Sequence, residues 1–385
     1  RQSESNQSRV RQALFPQSVK AAFEFDVEIG FRAYVRGRRA TKWVIAADFV
    51  TSGPERINDT FAFTVYPYEQ DSFSELLSDT RAAMPADIKR VKHLHPKAAA
   101  FLIDHRLFHF CFVPDKERHQ LGSWEDAQVT LAGLANHVRG WPESPSKRHY
   151  IRKVDALIQR AKKTKFNYVL LHDITLLAAL SAYVALLIAK HSRAEMIMWA
   201  FDRDAMTTAF DGIVYDMAYL NFHSVCEMER VQKSRISVSN AIDPHASNGQ
   251  STWFDDLIRA PDHIAGAIAR WDFWADQGSP VSPKVAEVIE NAIAENANLV
   301  ILAIRCSGFG ISCSRVRTFS RTNTNRAAYD YRSGDLVDYL AWTMLRQGRN
   351  GHTTYRRGIS DTSAINNIGL RVWWRPVCRP STEMI

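Results

Sequence analysis

The feature that most constrains the fold is one long apolar run, ITLLAALSAYVALLIA, from Ile174 to Ala189. His172 and Asp173 precede it and Lys190 follows. A helix apolar nearly all round has no face to offer water, so protein or lipid must enclose it. The run is shorter than the about 18–20 residues needed to cross a bilayer. It therefore predicts a central core helix and no membrane partner.

A helix enclosed in this way needs sheet or helix on its flanks, and the rest of the chain supplies both. KAAFEFDVEIGF alternates Phe23, Phe25, Val27 and Ile29 with Glu24, Asp26 and Glu28, the period of a half-buried strand. Asp26 would then face away from the phenylalanines. KWVIAADFV (42–50) and TFAFTVYPY (60–68), parted by turn-prone SGPERIND, extend this into an antiparallel meander. Phe73, Leu76 and Leu77 recur at helical spacing, and FHFCFV (108–113) reads as a further strand. WEDAQVTLAGLANHV and YIRKVDALIQRAKK carry apolar residues at three- and four-residue steps ahead of the central helix. AEMIMWAFDRD (194–204) suits a buried strand ending in charge, followed by helix over 205–230 and a polar loop at 234–252. WFDDLIRAPDHIAGAIARWDFW predicts another helix, and NLVILAI (298–304) a last buried strand. Strands followed by alternating helix and strand predict an α/β protein with a mixed sheet. The expected organisation is a flexible arm at 1–20, one domain at 21–304 with a helical insertion at about 120–192, and a basic C-terminal extension at 305–385 carrying a helix at 335–345.

The formal charge of +8 and pI near 9.2 point to a polyanionic partner, nucleic acid first. Residues 146–165 hold eight Lys or Arg against one Asp. On a helix, Arg152, Lys153, Arg160 and Lys163 form a cationic face opposite Ile151, Val154, Leu157 and Ile158, with His149 and Tyr150 placed to stack on bases. A second patch, Arg32, Arg36, Arg38 and Arg39, follows Asp26 directly and is expected beside it. Five scattered cysteines lack C-x-x-C spacing and predict reduced core thiols in a cytoplasmic protein. The polar stretch Arg1 to Arg11 leads to no apolar signal core, so export is not expected.

The chemistry-bearing candidates are carboxylates on rigid elements: Asp26 in a strand, Asp202 and Asp204 closing another, and Asp262 opening a helix after Pro261. Hard divalent cations take oxygen ligands, and two-metal phosphodiester cleavage needs such acids to converge from different elements. Each also has a plain structural reading, as solvated strand face, turn residue and helix cap respectively. His93 and His95 in KHLHPK lack convergent partners for a metal, and GFGISCSR (308–315) lacks the Gly-Lys-Ser/Thr of a phosphate loop. FDRD resembles the Asp-x-Asp of sugar-nucleotide transferases, an alternative reading.

FEFDVEIG resembles the opening strand of a bacterial domain-of-unknown-function family whose strand carries Asp-Glu-Ser-Gly, and APDHIAGAIA resembles that family's Ala-Asp-Leu-Ile-Ala-Gly helix. Val27 stands where the family has Glu. The resemblance implies an RNase H-like fold and a nuclease site using Mg²⁺ or Mn²⁺. Asp26, Asp202 and Asp262 would be the metal ligands, with Glu28 and Asp204 as secondary acids. The alternative is a non-catalytic nucleic-acid- or protein-binding component of a multi-protein bacterial system on the same fold.

Overall fold

The computed structural model describes residues 28–51, 56–85, 92–115, 124–163, 165–232, 236–241, 252–273, 282–307, 310–318 and 372–374. The expected arm, Asp26 and the expected helix at 335–345 lie outside the described residues.

Among the described residues an eight-stranded mixed sheet organises the fold, in the order β5-β4-β1-β2-β3-β6-β7-β8. β1 (Lys42–Val50), β2 (Thr60–Tyr68) and β3 (Phe108–Pro114) form the expected antiparallel meander. β4 (Met196–Phe201) lies parallel to β1, and β5 (Ser237–Asn240) parallel to β4. On the other side β6 (Leu299–Ser307) runs parallel to β3, and β7 (Gly310–Thr318) and β8 (Val372–Trp374) continue antiparallel. The segment expected as an extension thus contributes strands to the same sheet.

Each face of the sheet has its own core. Trp43, Ile45, Ala47 and Phe49 of β1 point into the first, against α1 (Glu28–Arg36), α6 (Tyr168–His191) and α7 (Ala205–Met228). α4 (Trp124–Arg139) and α5 (Pro145–Ala161) stand outside these helices. Val44 and Ala46 point into the second core, against α2 (Phe73–Ala83), α3 (Pro96–Leu102), α8 (Asp255–Ile268), α9 (Pro283–Val288) and a π-helical turn at Ile289–Ile293. Cys111, Cys226 and Cys313 are free and buried.

Three expectations need correction. The residues from Glu28 form helix α1, not the end of a strand. Phe31, Tyr34 and Val35 are its buried residues, so the period of two over 23–29 gives way to helical spacing from 31 onward. The polar stretch expected as loop contains β5, an edge strand whose ladder to β4 needs backbone groups rather than apolar side chains. The central helix has 24 residues, long and apolar enough to cross a membrane, so length does not decide its setting. Within it Leu177, Leu180, Val184 and Ile188 are fully enclosed by protein.

Candidate carboxylate site

The described acids meet at the edge of the sheet where β1 and β4 end. Ala46 pairs with Ala200 and Ala47 with Phe201, and the Asp202 N–H donates to the Ala47 carbonyl at 3.0 Å, so Asp202 continues the register beside Asp48. Period two puts Asp48 on the face of Val44 and Ala46, under α8. It is 6% exposed, a carboxyl enclosed in a sheet. Burial pushes its pKa well above the ordinary range, and the charges of Asp262 and Asp202 push it further, with a smaller contribution from Asp204; the Phe49 backbone N–H acts the other way. Asp48 was not among the sequence candidates. The signal was an acid set on the apolar face of a nine-residue strand.

Asp262 reaches Asp48 because α8 is fixed across β1 and β2. The helix begins at Asp255, so Asp262 lies in its second half and does not open it. Pro261 is interior and cannot donate to the Leu257 carbonyl four residues back. The Tyr66 hydroxyl donates to that carbonyl instead, at 2.8 Å. At the helix end, Asn58 Nδ2 donates to the carbonyls of Ile268 (2.9 Å) and Trp271 (2.6 Å), satisfying last-turn acceptors. At its start, buried Asp256 binds Arg81 (2.7 Å) and Arg259 (2.5 Å).

Asp204 serves as the N-cap of α7. Its Oδ1 accepts from the N–H groups of Met206 (2.7 Å) and Thr207 (3.1 Å), while Thr207 Oγ1 accepts from the Asp204 N–H (2.9 Å), a reciprocal capping box. Burial raises its pKa despite these hydrogen bonds, with Asp202 adding to the shift. Asp202 Oδ1 accepts from the Arg203 N–H at 2.9 Å.

α7 then breaks its own helix. Phe210, Asp211 and Gly212 all adopt left-handed backbone, φ 50°, 60° and 69°, a conformation costly for the first two. α5 and the segment after it hold this turn: Lys153 Nζ donates to the Asp211 carbonyl (3.0 Å) and to Asp216 (2.6 Å), and Phe166, between α5 and α6, stacks on Phe210. Past the turn, Tyr215 stacks on Phe201 at 5.0 Å, and burial with the charges of Asp204 and Asp202 pushes its hydroxyl pKa up to about 12.

The other expected site residues lie elsewhere. Glu28 pairs with His191 (2.9 Å) and Lys190 (3.1 Å) at the end of α6, just before β4 begins. Arg32 and Arg36 lie near this pair, and Arg38 donates to the His105 carbonyl and covers the Tyr34 ring. This patch and Arg39, just ahead of β1, occupy the edge where β1 and β4 start, opposite Asp48 and Asp202; Asp26, beside which the patch is expected, lies outside the described residues. On α5 Arg152 is exposed, as is Lys163 just past its end; Arg160 faces Asp211 at 3.6 Å, and Lys153 is committed to the turn. His93 pairs with Glu287, and His95 caps α3.

Asp48, Asp202, Asp204 and Asp262 offer only hard oxygen donors, the set that magnesium and manganese take. Among the described residues, no three carboxylate, imidazole or thiol groups are gathered closely enough to hold one ion. No protein-family model, curated protein or solved structure matches the chain.

Proposed function

We propose that the chain is a nuclease of the RNase H-like class that cleaves nucleic-acid phosphodiesters with Mg²⁺ or Mn²⁺. The observation carrying this reading is Asp48, a carboxyl buried near the end of β1 with Asp202 and Asp262 close enough to shift its titration. Mutually repelling acids in a partly buried setting are costly unless a cation offsets them, and such perturbed groups concentrate at functional sites. The strand order 3-2-1-4-5 around β1, with β2 antiparallel to its neighbours, supports the same class.

In this reading Asp48 replaces Asp26 as the first-strand acid, Asp202 is the strand-end acid and Asp262 the acid of the late helix. A bound divalent cation would supply positive charge to the scissile phosphate and acidify a water. The chain's own contribution is to fix the acids: the β1–β4 ladder sets Asp202, the Tyr66 and Asn58 hydrogen bonds seat α8, and the capping box holds the turn after Asp202.

The test is cleavage of labelled DNA and RNA, single- and double-stranded, with and without Mg²⁺ or Mn²⁺. Metal-dependent cleavage that falls at least about a hundredfold in Asp202→Asn is expected; undiminished cleavage in that variant would overturn the assignment. The separation of the acids favours one second reading, a non-catalytic nucleic-acid- or protein-binding component. It predicts metal-independent binding with no cleavage.

A further inference from the structure

α7 carries more than its N-terminal acids. Beyond the left-handed turn, Tyr215, Tyr219 and His223 recur every four residues on one side of a continuous helix, a rise of about 6 Å per step. Tyr215 begins the row beside Asp204 and Asp202. Tyr219 stacks on Tyr150 of α5, with centroids 5.4 Å apart and planes 20° from parallel, and touches His223 at 4.3 Å. Trp141 closes over both, 6.4 Å from Tyr219 and 5.5 Å from His223. His149, exposed, lies edge-on to Tyr150 at 5.4 Å.

These rings differ from the aromatic residues of the core. Phe31, Phe63, Phe108 and Phe110 are fully buried, whereas Trp141, Tyr150, Tyr219 and His223 keep part of their surface in solvent. They sit over a small apolar cluster of Ala135, Val138, Val154 and Leu220 that supports them from below. Lys153 ties α5 to α7 through Asp211 and Asp216, so the rings contributed by the two helices are held in register before any partner arrives.

The charge beside the rings is positive and partly unspent. Lys147 and Arg148 bind Glu143, and Arg139 binds Asp155. Arg152 and Lys163, exposed on this helix and just past its end, form no salt bridge among the described residues. A chain of +8 with partly exposed rings next to exposed cations matches a strand whose bases can stack and whose phosphates need neutralising. A duplex does not fit as well, because its base faces are already stacked on one another.

We infer that the ring row Tyr215–Tyr219–His223, with Trp141, Tyr150 and Arg152, is a track for single-stranded nucleic acid that leads away from the carboxylates. The inference deepens the nuclease reading by naming the strandedness of its substrate, and it rests on that reading only for the direction of the track.

The experiment uses the full chain in EDTA, which separates binding from cleavage, with fluorescence anisotropy of labelled oligothymidine, oligouridine and a duplex of equal length. Single strands should bind at least about tenfold more tightly than the duplex. Tyr219→Ala and Trp141→Ala should each weaken single-strand binding at least about fivefold, the lower end for loss of one base–ring stack. Trp141→Phe should restore most of it. Arg152→Glu, at an exposed side chain whose change leaves packing intact, should weaken binding and flatten its dependence on salt. Equal or tighter duplex binding, or wild-type affinity in both Trp141→Ala and Arg152→Glu, would overturn the track. So would affinity of this face for a protein with none for nucleic acid. Ring-dependent binding without metal-dependent cleavage would keep the track and overturn the nuclease reading; cleavage indifferent to the rings would do the reverse.

Discussion

Asp48 is a carboxyl whose surroundings oppose its ionisation, and that has consequences for stability as well as for chemistry. Its folded pKa lies above the unfolded value, so the folded state holds the proton more tightly. The cost of ionising it is absent below about pH 3.9 and grows as pH rises through the folded pKa. Asp48→Asn should therefore stabilise the protein at neutral pH by about 1–2 kcal/mol, an advantage that fades toward pH 4. His109 acts in the opposite sense. Its Nε2 donates to the Leu102 carbonyl (3.0 Å), its Nδ1 accepts from Thr64 (2.9 Å), and burial pushes its pKa from 6.5 down to about 4. The stability of the neutral ring is complete above about pH 6.5 and is lost as pH falls toward about 4. Urea unfolding across that range should show Asp48→Asn losing stability with acid more steeply than the wild type, since the opposing contribution of Asp48 is gone. Parallel pH profiles would contradict the environment described for Asp48.

At the scale of elements, α8 shows how a residue that should break a helix is accommodated. Pro261 removes the donor for the Leu257 carbonyl, and the Tyr66 hydroxyl from β2 replaces it. Tyr66→Phe should orphan that buried carbonyl and cost about 1–3 kcal/mol by denaturant unfolding, with no change in the slope against denaturant. If Tyr66→Phe is neutral, another donor serves Leu257. The same substitution explains a misreading of the sequence. Pro-Asp reads as a helix start because proline is at home in a first turn, yet here the missing hydrogen bond is supplied by a distant strand. Tertiary donors of that kind leave no local trace. β5 escaped for a related reason, since Ser237–Asn240 pairs through its backbone while its side chains stay polar.

At the scale of the whole molecule, the parts legible in the sequence were those where burial dictates composition. β1, β2, β3, β4 and β6 fall on the apolar runs because helices cover both faces of the sheet, and α6 is apolar all round because it lies inside the first core. The carboxylate edge was legible at Asp202 and Asp262 and missed at Asp48, where one acid sits inside a run whose residues from Trp43 to Phe49 are all buried. The basic stretch 31–43 was legible as charge but not as position: the chain reverses between α1 and β1, which leaves its arginines at the opposite edge of the sheet. The central proposal is that Asp48 and Asp202, side by side where β1 and β4 end, together take a divalent cation, and calorimetric titration of Mn²⁺ into the full chain and its variants tests it most directly. Binding that weakens at least about tenfold in both Asp48→Asn and Asp202→Asn is the predicted result; no binding by the wild type, or equal affinity in all three proteins, would contradict it.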